Sequence, residues 1–359
     1  MNKQAIAFVA GRSGGHIIPA LTLAKEITVT NKDKEILFFT TTHPLDLAII
    51  KKQGGFLQRH ISLKLGNVPF FNIFKILVFF ILFALAFFKA FKIFRNTKPE
   101  FVAGMGGYIS IPVCLAAAAL RIPVFLYDLD AKPGKATRFL KRYAHTIFIC
   151  FEQAKEYLPS HKCQLIDYPI RFESIAKDIQ LESARQQLGL SSNKKTIFIN
   201  GGSQGSVFIN NCIKEWLDLN PHLYSLIQII HQTGSIDATN WKSLYNDFEI
   251  PAVVFTYKED LAPCYAAADL IICRSGAGSL FESLFFKKPC LTIPLETSST
   301  IHQKFNARAL EQQHPELITV LTEQEIKRDN MILFRVLNKY IYTQTAVVNK
   351  NNFYSSIRV

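Results

Sequence analysis

His16 stands in the run GRSGGHIIPALTLA (residues 11–24), directly after the apolar stretch AIAFVA (5–10). Gly11, Gly14 and Gly15 surround it, with Ser13 between them. Where an apolar strand turns into a helix, the first backbone N–H groups of the helix have no intrahelical acceptor, and an anion is favoured there. Glycines let such a group approach the backbone closely. An imidazole in that mouth is the one side chain of the stretch able to take up a proton near neutral pH. The combination raises the question of whether the chain merely holds a nucleotide or also does chemistry beside one. A plainer use is also open: a histidine at a helix start can bond to the backbone, and glycines can serve a tight turn.

Three further turns share the pattern. GMGGYIS (104–110), NGGSQGS (200–206) and CRSGAGSLFES (273–283) each follow an apolar run and lead into a helical stretch. A single glycine-rich turn is common to many phosphate binders and dehydrogenases. The glycines from Gly11 do not fall in the G-x-G-x-x-G spacing of dinucleotide enzymes, and no P-loop lysine follows. Four such turns, shared between both halves of the chain, point to a phosphate-bearing ligand held in a cleft between two domains. Amides around Ser203 and Gln204, and those of residues 277–280, would meet its charge. Ser203 and Gln204 can also cap a helix, which is compatible with phosphate binding.

The elements that must position these turns read as short apolar strands alternating with helices. Strands are expected at 5–10, 35–40, 101–106, 123–128 and 146–151, then at 195–202, 225–234, 252–258, 270–276 and 290–295. Nearly continuous apolar runs bounded by turn residues indicate parallel sheets covered on both faces. The fold class is therefore α/β, with two Rossmann-like doubly wound domains and ligands at the carboxyl ends of their strands. The expected division is 1–166 for the first domain, 167–340 for the second, and 341–359 for a tail, one option being that it returns to the N-terminal domain.

Composition narrows the partners. In 359 residues, 49% hydrophobic content rules out global disorder, and a net charge of +13 calls for phosphate-bearing substrates, anionic lipid or nucleic acid. Nucleic acid is disfavoured because the basic residues are dispersed and no binding module is present. Seven cysteines without paired spacing read as reduced, mostly buried thiols in a cytosolic compartment. The apolar part of the N-terminus is too short for a signal peptide, so the fold is expected to start directly. No cofactor is expected.

The segment VPFFNIFKILVFFILFALAFFKAFKIF (68–94) is almost wholly apolar and reaches the length of a membrane span. A buried helix and a spanning helix both fit its composition. Spanning would put two parts of one sheet on opposite sides of a bilayer. The preferred reading is a helix of the soluble fold whose outer face enters the membrane interface, with Phe79, Leu82 and Phe83 in the acyl region. Lys75, Lys89, Lys92, Arg95 and Lys98 would then meet anionic headgroups.

Taken together, GRSGGHIIPALTLA, GMGGYISIPVCLAA, YDLDAKPGKATRFL, YPIR, GGSQGS, AAADLIICRSGAGSLFES and HQKFNARAL, in this order over about residues 5–310, resemble the MurG family. These are the UDP-N-acetylglucosamine:lipid I N-acetylglucosaminyltransferases of bacterial peptidoglycan synthesis. The resemblance implies the GT-B architecture of two domains facing a cleft, work at the cytoplasmic face of the inner membrane, inversion at the anomeric carbon, and no tightly bound metal. Its partners would be UDP-GlcNAc and a polyprenyl-diphosphate-linked acceptor, lipid I. Carried over by position, Ser13, Gly14 and Gly15 match the N-terminal glycine loop and His16 the proposed general base. Arg171 matches a donor-binding arginine and Ser203, beside Gln204, a diphosphate contact. Ala277, Gly278, Ser279, Leu280, Phe281 and Glu282 occupy the uridine and diphosphate loop, with Glu282 at the ribose hydroxyls. Gln303 matches a donor-sugar contact. Outside the resemblance, Arg171 could be a surface linker charge and Glu282 a solvated helix residue.

The sequence also departs from the family. Asp130 stands where an asparagine is usual, after Leu129, and Lys258 where an apolar residue touches uracil. The run ETSSTIHQ, which ends at Gln303, replaces the family's acidic pair and histidine before the glutamine and is one residue longer. A carboxylate only accepts hydrogen bonds where an amide both donates and accepts. Two other functions fit the same residues: a GT-B transferase using another lipid acceptor such as diacylglycerol, or a non-catalytic, membrane-docked UDP-sugar-binding protein.

Overall fold

A computed structural model describes residues 4–66, 73–202, 204–297 and 300–343. The chain divides into two compact units, Met1–Arg171 and Phe172–Val359.

The first unit opens with β1 (Gln4–Val9), α1 (Gly14–Thr30), β2 (Lys34–Thr41), α2 (Pro44–Gln53), β3 (Arg59–Leu63) and α3 (Ile73–Thr97). It continues with β4 (Val102–Gly104), α4 (Ser110–Ala119), β5 (Val124–Asp128), α5 (Lys135–Leu140), β6 (Thr146–Ile149) and β7 (Cys163–Leu165). Its seven strands form one sheet in the order β3-β2-β1-β4-β5-β6-β7, and every pairing is parallel. Successive side chains of β1 go to opposite faces, as strand geometry requires. Ala5, Ala7 and Val9 pack beneath α3 and α4, while Ile6, Phe8 and Ala10 pack against Ile17, Ala20, Leu21 and Ala24 of α1. Both faces are covered, which is why the run is continuously apolar.

The second unit holds α6 (Leu181–Gln187), β8 (Lys195–Asn200), α7 (Val207–Asp218), β9 (Ile227–Gln232), α8 (Trp241–Asp247) and β10 (Ala252–Phe255). Then come α9 (Ala262–Ala267), β11 (Leu270–Cys273), α10 (Ala277–Phe285), β12 (Cys290–Thr292), α11 (His302–Gln313), β13 (Ile318–Val320), α12 (Glu323–Arg328) and α13 (Met331–Thr343). The sheet order is β10-β9-β8-β11-β12-β13, again all parallel. Leu333, Phe334, Leu337 and Ile341 of α13 join the core of this unit. Residues 341–343 thus complete α13, and the rest of the expected tail lies outside the described residues.

The strands the sequence reading omitted are β3, β7 and β13, and all three are sheet edges. An edge strand has one neighbour, so it is short or polar: RHISL, CQL and ITV show no continuous apolar run.

The apolar segment forms α3 over Ile73–Thr97, and residues 67–72 lie outside the described ones. Ala86, Ala90 and Phe94 are buried at four-residue spacing on the sheet, with Phe94 edge-on to Phe39 at 5.4 Å. On the other side, Phe74, Leu77, Ile81, Leu85 and Phe88 are exposed at 52–74%. Phe79, Leu82 and Phe83 are not on that outer face. They pack against the core, because they share the helix side of Ala86 and Ala90. A wholly buried helix does not match these exposures. Nor does a span separating its flanking strands, since β3 and β4 belong to one sheet.

Candidate active site

In each sheet the chain runs outward from a central strand and then restarts on that strand's other side. The reversal lies between β1 and β4 in the first unit and between β8 and β11 in the second. Loops after the paired parallel strands emerge on the same sheet edge and diverge there, leaving a crevice that ligands occupy in doubly wound folds. Residues 10–13 and 105–109 flank the first crevice, and 201–202, 204–206 and 274–276 the second.

At the first crevice Ser13 is the N-cap of α1. Its hydroxyl accepts from the Gly15 N–H at 3.2 Å and its carbonyl from the His16 N–H at 3.1 Å. The Gly14 N–H has no acceptor among the described residues. The helix start therefore offers fewer open amides than expected, because Ser13 satisfies two of them.

His16 is half-buried, with Nδ1 3.4 Å from the Gly11 carbonyl oxygen. A carbonyl only accepts, so in the neutral ring this contact favours the tautomer with the proton on Nδ1. The turn after β4 lies against the ring: a Cβ on Gly106 would sit 3.1 Å from Nε2, and one on Gly107 2.9 Å from the Gly11 carbonyl. Both glycines have positive φ, 96° and 76°, so the approach requires glycine on steric and conformational grounds alike.

Two carboxyl groups missed by the sequence reading hold this unit's loops. Arg12 has φ 67°, a left-handed conformation costing a non-glycine residue about 1–2 kcal/mol. It is held by the fully buried Asp46 of α2, whose oxygens accept the Arg12 N–H at 2.9 and 3.1 Å and the Thr41 hydroxyl at 2.6 Å. Asp46 lies in the first turn of α2, where an acidic residue simply favours the helix dipole, so its sequence position carried no special signal.

Asp128 ends β5 and accepts the Gly134 N–H at 3.1 Å and the Asp130 N–H at 3.4 Å. Burial, then the nearby Asp130 charge, push its carboxyl up to about 7. Asp130 itself is half-buried on the same loop. Arg171, also half-buried, is the last residue of the unit.

In the second unit Ser203 lies outside the described residues, and Gln204 beside it is exposed. The Gly205 N–H is taken by the Gly202 carbonyl at 3.1 Å, and Ser206 caps α7 by accepting from Ile209 at 3.3 Å. The amides of Val207 and Phe208 have no acceptor among the described residues. At α10 the same holds for Ala277, Gly278 and Ser279. The expected amide of Leu280 is a correction: it bonds to the Gly276 carbonyl at 3.2 Å, as the fourth helical residue must, and its side chain is fully buried.

Phe281 is half-buried, and Glu282 is only 7% exposed. Gln303 accepts from the Leu295 N–H through Oε1 at 3.0 Å, which orients its amide nitrogen. Lys258 places its ammonium 5.9 Å from the centre of the Phe255 ring. The strand order therefore gathers Gln204, Lys258, residues 277–282 and Gln303 at the carboxyl edge of the second sheet. It gathers Ser13–His16 and Asp130 at that of the first.

Comparison with known proteins gives this arrangement a family. Residues 6–149 match the glycosyltransferase family 28 N-terminal domain and residues 196–341 the family 28 C-terminal domain. A relative from Myxococcus xanthus is 33% identical over 305 residues, covering 85% of this chain and 77% of its own. That relative is a UDP-N-acetylglucosamine--N-acetylmuramyl-(pentapeptide) pyrophosphoryl-undecaprenol N-acetylglucosamine transferase. The chain belongs to the MurG family. A transferase of the same name from Listeria monocytogenes is 30% identical over 344 residues, covering 91% of this chain and 88% of its own. The crystal structure of Acinetobacter baumannii MurG superposes with a TM-score of 0.69 at 25% identity, covering 96% of this chain and 94% of that one. The two α/β units are thus of the GT-B type, and the protein is a glycosyltransferase.

Proposed function

We propose that this MurG-family protein transfers N-acetylglucosamine from UDP-GlcNAc to the 4-hydroxyl of the N-acetylmuramoyl unit of lipid I, forming lipid II for peptidoglycan. The observation that carries the chemistry is the imidazole of His16, held through Nδ1 at the crevice beside β1. As the acceptor hydroxyl attacks the anomeric carbon, Nε2 takes its proton and the bond from that carbon to the UDP oxygen breaks, inverting the centre. The amides at the starts of α7 and α10, Ser203, Gln204 and Arg171 meet the charge of the departing diphosphate. Glu282 accepts from the ribose hydroxyls, Phe281 and Lys258 border the uracil, Gln303 contacts the donor sugar, and Asp130 stands on the donor side. No cofactor or metal ligand enters this reading.

Purified protein given UDP-GlcNAc and a lipid I analogue is expected to yield the disaccharide product. Binding of UDP-GlcNAc without product would select the non-catalytic reading, and transfer to diacylglycerol alone would select another lipid acceptor.

The outer face of α3 supports a location at the cytoplasmic face of the inner membrane. It sets Phe74, Leu77, Ile81, Leu85 and Phe88 toward solvent in a helix punctuated by Lys75, Lys89 and Lys92. Replacing Leu77, Ile81 and Leu85 by serine is expected to weaken sedimentation with anionic vesicles by at least about 10-fold while leaving the thermal midpoint near that of the parent. Unchanged vesicle binding would remove this face from the membrane contact. The same change at Phe79, Leu82 and Phe83 is expected to lower stability instead, because those side chains pack on the sheet.

A further inference from the structure

We propose that Asp46 is a positioning residue for His16 and acts through a single peptide group, forming a carboxylate–amide–imidazole relay. This rests on the general-base reading of His16. The peptide joining Gly11 to Arg12 donates its N–H to Asp46, at 2.9 and 3.1 Å, and its carbonyl oxygen lies 3.4 Å from His16 Nδ1. Among the described residues every peptide bond is trans, so this group's N–H and C=O point in opposite directions. The peptide plane is therefore strung between the carboxylate and the ring.

A carboxylate bonded to the N–H polarises the amide and makes its carbonyl a stronger acceptor. That fixes the Nδ1–H tautomer. It also favours the imidazolium that forms when Nε2 takes the proton of the acceptor hydroxyl. In Ser-His-Asp triads a carboxylate does both by direct contact with the imidazole. Here one amide is interposed.

The surroundings are built to hold this path. Asp46 is fully buried and accepts from the Thr41 N–H at 3.1 Å as well as from the Thr41 hydroxyl. Residue 11 has room for no side chain, since a Cβ there would fall 2.9 Å from Asp46 Oδ2 and 3.1 Å from Thr41 Cγ2. Arg12 keeps its left-handed backbone at the one place where the carboxylate grips the amide. On the opposite side, Gly107 closes on the same Gly11 carbonyl.

The test uses the full chain labelled with 15N-histidine, His16 being assigned by the signal lost in His16→Ala. In the parent, His16 is expected as the Nδ1–H tautomer. Asp46→Asn keeps an acceptor of the same size but removes the charge. It is expected to move His16 toward the Nε2–H tautomer and to lower kcat about 10- to 100-fold, short of the full general-base contribution of about 10²- to 10⁴-fold, with KM for UDP-GlcNAc within about twofold. An Nε2–H tautomer in the parent would overturn the relay even if Asp46→Asn failed to fold. So would an Asp46→Asn protein with unchanged tautomer and unchanged kcat. If His16→Ala keeps its turnover, the base reading fails instead, and the tautomer measurement tells the two failures apart.

Discussion

Replacing His16 with alanine is expected to lower kcat by about 100-fold or more while the dissociation constant for UDP-GlcNAc changes by less than about threefold. Among the described residues, the substitution removes the one imidazole at the first crevice and nothing proposed to meet the diphosphate. Alanine is the best helix former, and the α1 start is held by Ser13 and by the Asp46 grip on Arg12, neither of which involves the His16 side chain. The loss should therefore fall on the chemical step. Steady-state kinetics with a lipid I analogue, set beside calorimetric titration of UDP-GlcNAc, separates the two quantities. A His16→Ala enzyme retaining more than a tenth of the parental kcat would remove His16 from the role of base.

The second large effect concerns Asp128 and pH. Its carboxyl is about 7 in the folded protein, raised from 3.8 by burial and then by the Asp130 charge. Between those values the folded state binds a proton that the unfolded chain has released. This contribution to stability is thus full below about pH 4 and is lost as the pH rises through about 7. At about 1.36 kcal/mol per pH unit it amounts to something on the order of 4 kcal/mol. Asp128→Asn keeps an acceptor for the Gly134 and Asp130 amides and cannot ionise. The difference in unfolding free energy, variant minus parent, is expected to grow in the variant's favour from pH 4 to pH 8. Denaturant titrations across that range check it, and a difference that stays flat would mean Asp128 titrates normally.

Much of the fold was legible because buried strands of a parallel sheet must be apolar on both faces. AIAFVA, EILFFT, KTIFIN and LIIC say so directly, and each is central or next to a central strand. RHISL, CQL and ITV did not, because an edge strand has fewer neighbours to satisfy and its residues need not be apolar. The glycine turns were legible for a related reason. A close backbone approach or positive φ leaves a mark in residue type, and Gly106 and Gly107 meet His16 where that mark stands.

What the sequence determined by itself was local: strands that need cover, turns that need glycine, helix starts that need a cap such as Ser13. These depend on neighbours along the chain, so residue type and spacing encode them. Only the tertiary structure decided which groups meet across distance. Asp46 reaches the Gly11–Arg12 peptide because β1 and β2 pair in register, and its own segment shows nothing beyond a generic acidic helix start. In the same way α3 is apolar on nearly every side apart from its lysines, so its sequence did not single out an inner stripe. The sheet beneath it chose Ala86, Ala90 and Phe94 as the inner stripe and left Leu77, Ile81 and Leu85 facing outward.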